Sequence, residues 1–186
     1  MYENIFATME IDPNEPVFNK NVIEVLTIGN ELCLLIDNSE KYDKYDFLTV
    51  LHRLLPLLYL KASLLKKVAA SNPDASERFV TEEQYELTYQ TLKKLFSTGD
   101  LFYVTPKKDI TVKVSLAEFL TDVYQDIKDF IMLYQKPSIG AKENAINECI
   151  TLFEKHWGPK LIAALQALHL LIYPVSSKIF DKESFE

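Results

Sequence analysis

Apolar and polar residues alternate along this chain with a period close to that of an α-helix. Val22, Val25, Leu26, Leu32, Cys33 and Ile36 recur at helical spacing, which predicts a first helix over about 17–37. Asp43 or Asp46 can cap a second, whose apolar positions Phe47, Val50, Leu51, Leu54, Leu55, Leu58 and Leu65 cover more than one stripe. That breadth is expected of a hub packed on several sides. Pro56 inside it removes an amide donor and crowds the carbonyl of His52, so a kink is expected there. Ser71-Asn72-Pro73-Asp74 breaks the pattern. Thr81-Glu82-Glu83-Gln84 then has the form of a capping box and opens a third helix that ends near Ser97, before Gly99.

Two β-rich runs follow, Leu101 to Thr105 and Ile110 to Val114, separated by Pro106-Lys107-Lys108-Asp109. They read as a small hairpin or an extended crossover. Ser115 to Glu118 is a second capping box, and the helix behind it carries Leu116, Leu120, Val123, Ile127, Phe130 and Tyr134 at spacings 4, 3, 4, 3, 4, a bundle-type seam. After Pro137 and Ser138 a fifth helix reaches about Trp157. Gly158 and Pro159 read as the end of one helix and the start of the next, with glycine closing and proline opening. The sixth helix, Pro159 to Tyr173, is almost wholly apolar and is expected to be buried. The fold class is therefore all-α: a compact bundle of about six helices, with the second and sixth central and a possible short hairpin around residues 101–114. Residues 1–16 read as an irregular leader, 17–173 as one helical domain and 174–186 as a tail.

At 186 residues, 48% apolar and 25% charged, the composition is that of a folded globular protein. The net charge of -7 and the scattered lysine pairs leave no basic face for phosphate neutralisation, so nucleic acid is not an expected partner. Phe47 to Leu65 has 13 apolar residues in 19, but His52, Arg53, Pro56 and Lys61 interrupt it. A central Arg or Lys costs about 2.5–3.5 kcal/mol on insertion scales, so the stretch reads as a helix of the bundle and no membrane association is expected. Cys33 and Cys149 sit 116 residues apart within apolar patterns and read as free core thiols. The acidic leader has no signal-peptide pattern, and the expected location is cytoplasmic.

Spacing rejects most familiar chemistry. No histidine has a glutamate three residues before it, which excludes a carboxylate-bridged di-metal bundle. Gly29, Gly99, Gly140 and Gly158 are too far apart for a phosphate loop, and nothing matches GxSxG or HExxH. Cys149 and His156 share a face but lie two turns apart, about 10.5 Å at 1.5 Å per residue. No catalytic residue, metal site or cofactor is expected.

One acidic feature stands out. Glu118, Asp122, Asp126 and Asp129 fall at spacings 4, 4 and 3 and so share a stripe of the fourth helix. Like charges at i and i+4 cost about 0.2–0.5 kcal/mol per pair. Water can tolerate that cost, so the first reading is a solvated face; a docking surface for a basic partner and a Mg²⁺-type site are the alternatives. Glu82-Glu83-Gln84-Tyr85-Glu86 matches the EExxE half-motif of all-helical nucleoside triphosphate pyrophosphatases, without the ExxD half. Tyr59 and Lys61, near Pro56, read as packing residues or as the lining of a small pocket. His169 reads as a core histidine, and His156 as a helix-end cation or interface group.

The segments Leu55 to Ala62, Leu120 to Phe130, Trp157 to Leu161 and Ala167 to His169 together resemble a bacterial domain-of-unknown-function family of small acidic proteins from Bacteroides-type bacteria. The resemblance implies one compact, mainly helical domain and brings no activity, cofactor or catalytic residue. The expected function is that of a non-enzymatic protein-binding or adaptor module, with the acidic stripe as its candidate surface. The alternatives are a Mg²⁺-dependent nucleotide hydrolase and a small-molecule carrier.

Overall fold

The computed structural model describes residues 15–70 and 77–174. The leader up to residue 14, the break at Ser71 to Asp74 and the tail from residue 175 lie outside the described residues. A single 3-10 turn, Pro16–Phe18, leads into α1 (Lys20–Asp37). Then come α2 (Lys44–Ala62), α3 (Glu82–Phe96), the strands β1 (Leu101–Lys107) and β2 (Ile110–Ser115), α4 (Leu116–Tyr134), α5 (Ile139–Leu152) and α6 (Gly158–Ile172).

The predicted caps mostly form. Asp43 accepts from the amides of Tyr45 and Asp46, Ser138 from Ala141 and Thr81 from Gln84. At Thr81 the reciprocal half of the box is diverted, because the Gln84 amide donates to the Tyr124 hydroxyl instead. At Ser115 a third residue joins. The hydroxyl donates to the buried carboxylate of Asp100 while accepting from Glu118 N, and Asp100 also takes the amide of Ala117 at 2.8 Å. This clamp ties the start of β1 to the end of β2, and Phe102 packs edge-on against Phe119 at 5.6 Å. Those contacts give the two strands the cover that an isolated hairpin lacks. The antiparallel register pairs Leu101 with Ser115 and Val104 with Val112, and Asp109 at φ 65 makes the turn.

The hub is α4, not α2 and α6. Fourteen of its residues are buried, including the whole predicted seam, and α1, α3, α5 and α6 all pack on it. Against α1 the approach is close: a Cβ on Gly29 would lie 2.8 Å from Ile127 Cγ2. α2 instead bridges α1 and α6. Its inner residues Phe47, Leu51, Leu55 and Leu58 are fully covered, but Val50, Leu57 and Leu60 stay exposed. On α6 the expected burial fails at Ile162, Leu170 and Leu171. Apolar content all round a helix marked it as hidden, but each has only two or three neighbours to hide against. α2 remains one helix through Pro56, whose ring faces solvent where the missing hydrogen bond costs least.

α5 and α6 are joined without a break. Phe153–Trp157 forms a π turn, and Gly158 is helical at φ -62, ψ -51 rather than a terminating glycine. Pro159 explains the widened turn, since it lacks the amide that a regular α-helix would need there and its ring would meet the carbonyl four residues back. Gly158 is required for space: a Cβ would come 2.2 Å from the Phe153 carbonyl oxygen. Cys33 and Cys149 are both buried and unpaired; burial pushes the Cys33 thiol up to about 12 and Cys149 higher still.

Gly158→Ala should lower the unfolding free energy by at least about 2 kcal/mol, because backbone rather than a flexible side chain must move. Gly140→Ala, where nothing lies within 4 Å of the added carbon, should be neutral or stabilising by up to about 1 kcal/mol. Urea unfolding midpoints of the two variants check both.

Candidate interaction site

The acidic stripe of α4 faces inward. Asp122, Asp126 and Asp129 are 9%, 3% and 5% exposed, and Glu118 alone of the four remains at the surface. The expected solvated face is corrected accordingly, and the reason is that four other parts of the chain bring donors to these carboxylates. Arg78, just before α3, places Nη1 at 3.2 Å from Asp126 Oδ1 and 3.1 Å from Asp129 Oδ2, with Nη2 at 3.5 Å from Glu148. The other oxygen of Asp129 accepts the amides of Phe79 and Val80 at 2.8 and 2.9 Å. His156, on the π turn, meets Asp126 Oδ2 through Nδ1 at 2.5 Å. Lys160, in the first turn of α6, lies 2.5 Å from Asp122 Oδ2 and 2.9 Å from His156 Nε2. The Tyr85 hydroxyl donates to Asp122 at 2.9 Å, and burial first, the Asp122 carboxylate second, push that phenol well above its usual range.

The partners fix the imidazole tautomer. Nδ1–H of His156 donates to Asp126, and Nε2 accepts from the Lys160 ammonium. The result is one connected chain from Tyr85 through Asp122, Lys160, His156 and Asp126 to Arg78 and Asp129. Its cavity, between Arg78 and Glu148, measures about 10 Å³, which is room for one water and not for a substrate. A separate chain runs from Gln84 to the Tyr124 hydroxyl, on to Asp37 at 2.6 Å and to Lys128. Among the described residues no group of three or more His, Cys, Asp or Glu could hold a metal ion. Glu82, Glu83 and Glu86 of the EExxE half-motif point to solvent, while Tyr85 between them takes Asp122.

The other expected site residues disperse. Tyr59 packs on Phe153 at 5.0 Å and Lys61 pairs with Glu24 at 2.8 Å, so the two do not line a common pocket beside Pro56. His169 is exposed rather than a core residue, and its Nδ1 lies 3.2 Å from His52 Nε2, with Tyr173 against both rings. Burial first, then the nearby His169 and Arg53 charges, hold His52 below its ordinary value. Arg78, Lys160 and Asp100 escaped the sequence reading. Arg78 carried the only usable hint, as one of two arginines in the chain, placed immediately before a capping box.

With its polar groups engaged inside, the molecule presents apolar surface on the outside of α2. Val50, Leu57 and Leu60 are 37–54% exposed and recur at spacings 7 and 3, with Arg53 interposed, and the exposed Leu64 follows in the turn just past the end of the helix. This is the seam of a helix built to pack against another helix, left without one among the described residues. A cavity of about 240 Å³ opens where the seam ends, bounded by Pro16, Val22, Leu64 and Lys67 among others.

These features define a helical bundle with a hairpin insert, an internal charge network and an open apolar helix face. The chain belongs to the family described as Domain of unknown function (DUF5063), which matches residues 16–174. Among solved structures it is similar to the crystal structure of protein BF1032 from Bacteroides fragilis, a structural genomics target, at 34% identity and a TM-score of 0.78, covering 88% of this chain and 99% of that one. No curated protein matches it.

Asp129→Ala should cost about 3–5 kcal/mol, because it leaves two amides and part of the Arg78 charge without their acceptor, whereas Glu118→Ala should change stability by less than about 0.5 kcal/mol. Equilibrium denaturation distinguishes them. A base whose folded value is depressed stabilises fully above its unfolded value, about 6.5 for histidine, and loses that contribution as pH falls through the folded one. The melting temperature should therefore drop between pH 7 and 5, with a shallower slope in His52→Gln.

Proposed function

We propose that this protein is a non-enzymatic protein-binding module that docks its partner on the outer face of α2. The observation that carries the reading is the open seam of Val50, Leu57 and Leu60, half-exposed at the spacing of a helix–helix interface and continued past the helix end by Leu64. The acidic stripe supports the reading by subtraction, since its buried carboxylates already have Arg78, Lys160, His156 and backbone amides as partners. A protein suits this surface better than nucleic acid does, because the chain is acidic overall. No helix among the described residues is long and apolar enough to cross a membrane, and two buried thiols suit a reducing, cytoplasmic setting.

The test compares proteins captured from the source cells by wild type, by the double variant Leu57→Glu/Leu60→Glu and by Glu118→Ala, quantified by mass spectrometry. A partner enriched by wild type and Glu118→Ala and reduced at least about tenfold by the double variant, or about 1.4 kcal/mol, is the expected result. An identical set on all three, or Mg²⁺-dependent release of pyrophosphate from nucleoside triphosphates by the wild type, contradicts it.

A further inference from the structure

Resting on the docking reading of α2, we propose that the occupant is an amphipathic helix with an acidic rim, one of whose apolar side chains enters the cavity beside Lys66 and Lys67. Charge supplies the argument. Residues 44–67 contain Lys44, Arg53, Lys61, Lys66 and Lys67 against Asp46 alone, in a chain whose net charge is -7. Two of these cations are engaged within the fold: Lys44 donates to the Phe96 carbonyl and Lys61 pairs with Glu24. Arg53, Lys66 and Lys67 form no ion pair with the described residues.

Arg53 is the most telling, because it stands inside the apolar seam, between Val50 and Leu57. Any helix that covers the seam strips water from that guanidinium, and the loss is offset only if the partner brings a carboxylate to it. A second copy of this chain fits poorly. Two α2 helices laid face to face would oppose cations to cations, with Asp46 confined to the first turn. An anionic lipid surface would meet the same lysines but would also meet a chain that is more acidic everywhere else, which opposes adsorption.

The end of the seam is preformed. The cavity of about 240 Å³ has a mixed lining, apolar at Val22, Leu64 and Leu65 and polar at Asn19, Asn21 and Lys67, and the segment behind it is fixed on two sides. Asn147 both donates to Val68 O and accepts from Val68 N, at 2.9 and 3.0 Å, and Asn21 donates to Leu64 O. Because this wall is already held in place, an anchoring side chain can enter without the protein segment having to be ordered around it, in the manner of helix-in-groove recognition.

The probe is a labelled synthetic helix of about three heptads with Leu at a and d and Glu at e and g, whose like charges keep it from pairing with itself. Its counterpart carries Lys at e and g, and a third arm uses phosphatidylserine vesicles. By fluorescence anisotropy the full chain should bind the Glu helix at least tenfold more tightly than the Lys helix, with affinity falling as salt rises. Arg53→Glu combined with Lys66→Glu and Lys67→Glu should invert the preference while circular dichroism shows the fold intact. Equal binding of both helices, preference for the Lys helix, or binding to vesicles in place of the Glu helix overturns the inference. If neither helix binds but Leu57→Glu/Leu60→Glu still loses a cellular partner, the acidic-helix inference fails and the docking reading stands; if that partner set is also unchanged, both fail.

Discussion

Three carboxylates buried along one helix set the constraint on which the rest of this structure depends. Taking an ionised carboxylate out of water costs several kcal/mol even after the protein relaxes, and neighbours of like charge add to that cost. Asp122, Asp126 and Asp129 are accommodated because donors reach them from four places: the segment before α3, Tyr85 on α3 itself, the π turn and the first turn of α6. Each of those places is thereby fixed relative to α4. Removing one donor would leave a buried charge only partly compensated, so the network acts as a latch among elements far apart in the chain.

The π turn is the local device that serves this latch. Pro159 cannot continue a regular helix, and Gly158 leaves space for the displaced Phe153 carbonyl. Widening the helix at this point lets the chain run on into α6 while His156 and Lys160, one turn apart, both reach α4. Trp157, fully buried, turns its ring to Phe153 and donates to the Cys149 carbonyl, which anchors the opposite side of the same turn. Packing and polar networks thus agree on one position for α6. That position in turn gives α2 its second support beside α1, and leaves its outer face open.

Most of the fold was legible from local sequence, because periodicity, caps and turn residues act within a few positions. The α4 seam, the caps at Asp43, Thr81, Ser115 and Ser138, and the strand pair after Gly99 are all signals of that range. The charge network was not legible. The stripe Glu118, Asp122, Asp126 and Asp129 was visible as a pattern, but whether it met water or cations depended on residues 30–51 positions away in sequence. Burial of α2 was misjudged for a related reason: apolar content shows which surface avoids water, not how many neighbours the topology supplies. Gly158-Pro159 misled because the pair that usually ends a helix here sits within a bulge that continues it.

The central claim is that the carboxylates of α4 hold the molecule together internally and are not a surface awaiting a partner. Amide hydrogen exchange at Phe79 and Val80 tests it most directly, since these residues precede α3 with no regular secondary structure of their own and are held by Asp129 Oδ1 alone among the described residues. The account predicts that both amides exchange as slowly as those in the middle of α4, through global unfolding. Exchange at the rate of an open loop would contradict it, and would return Asp129 and its neighbours to solvent.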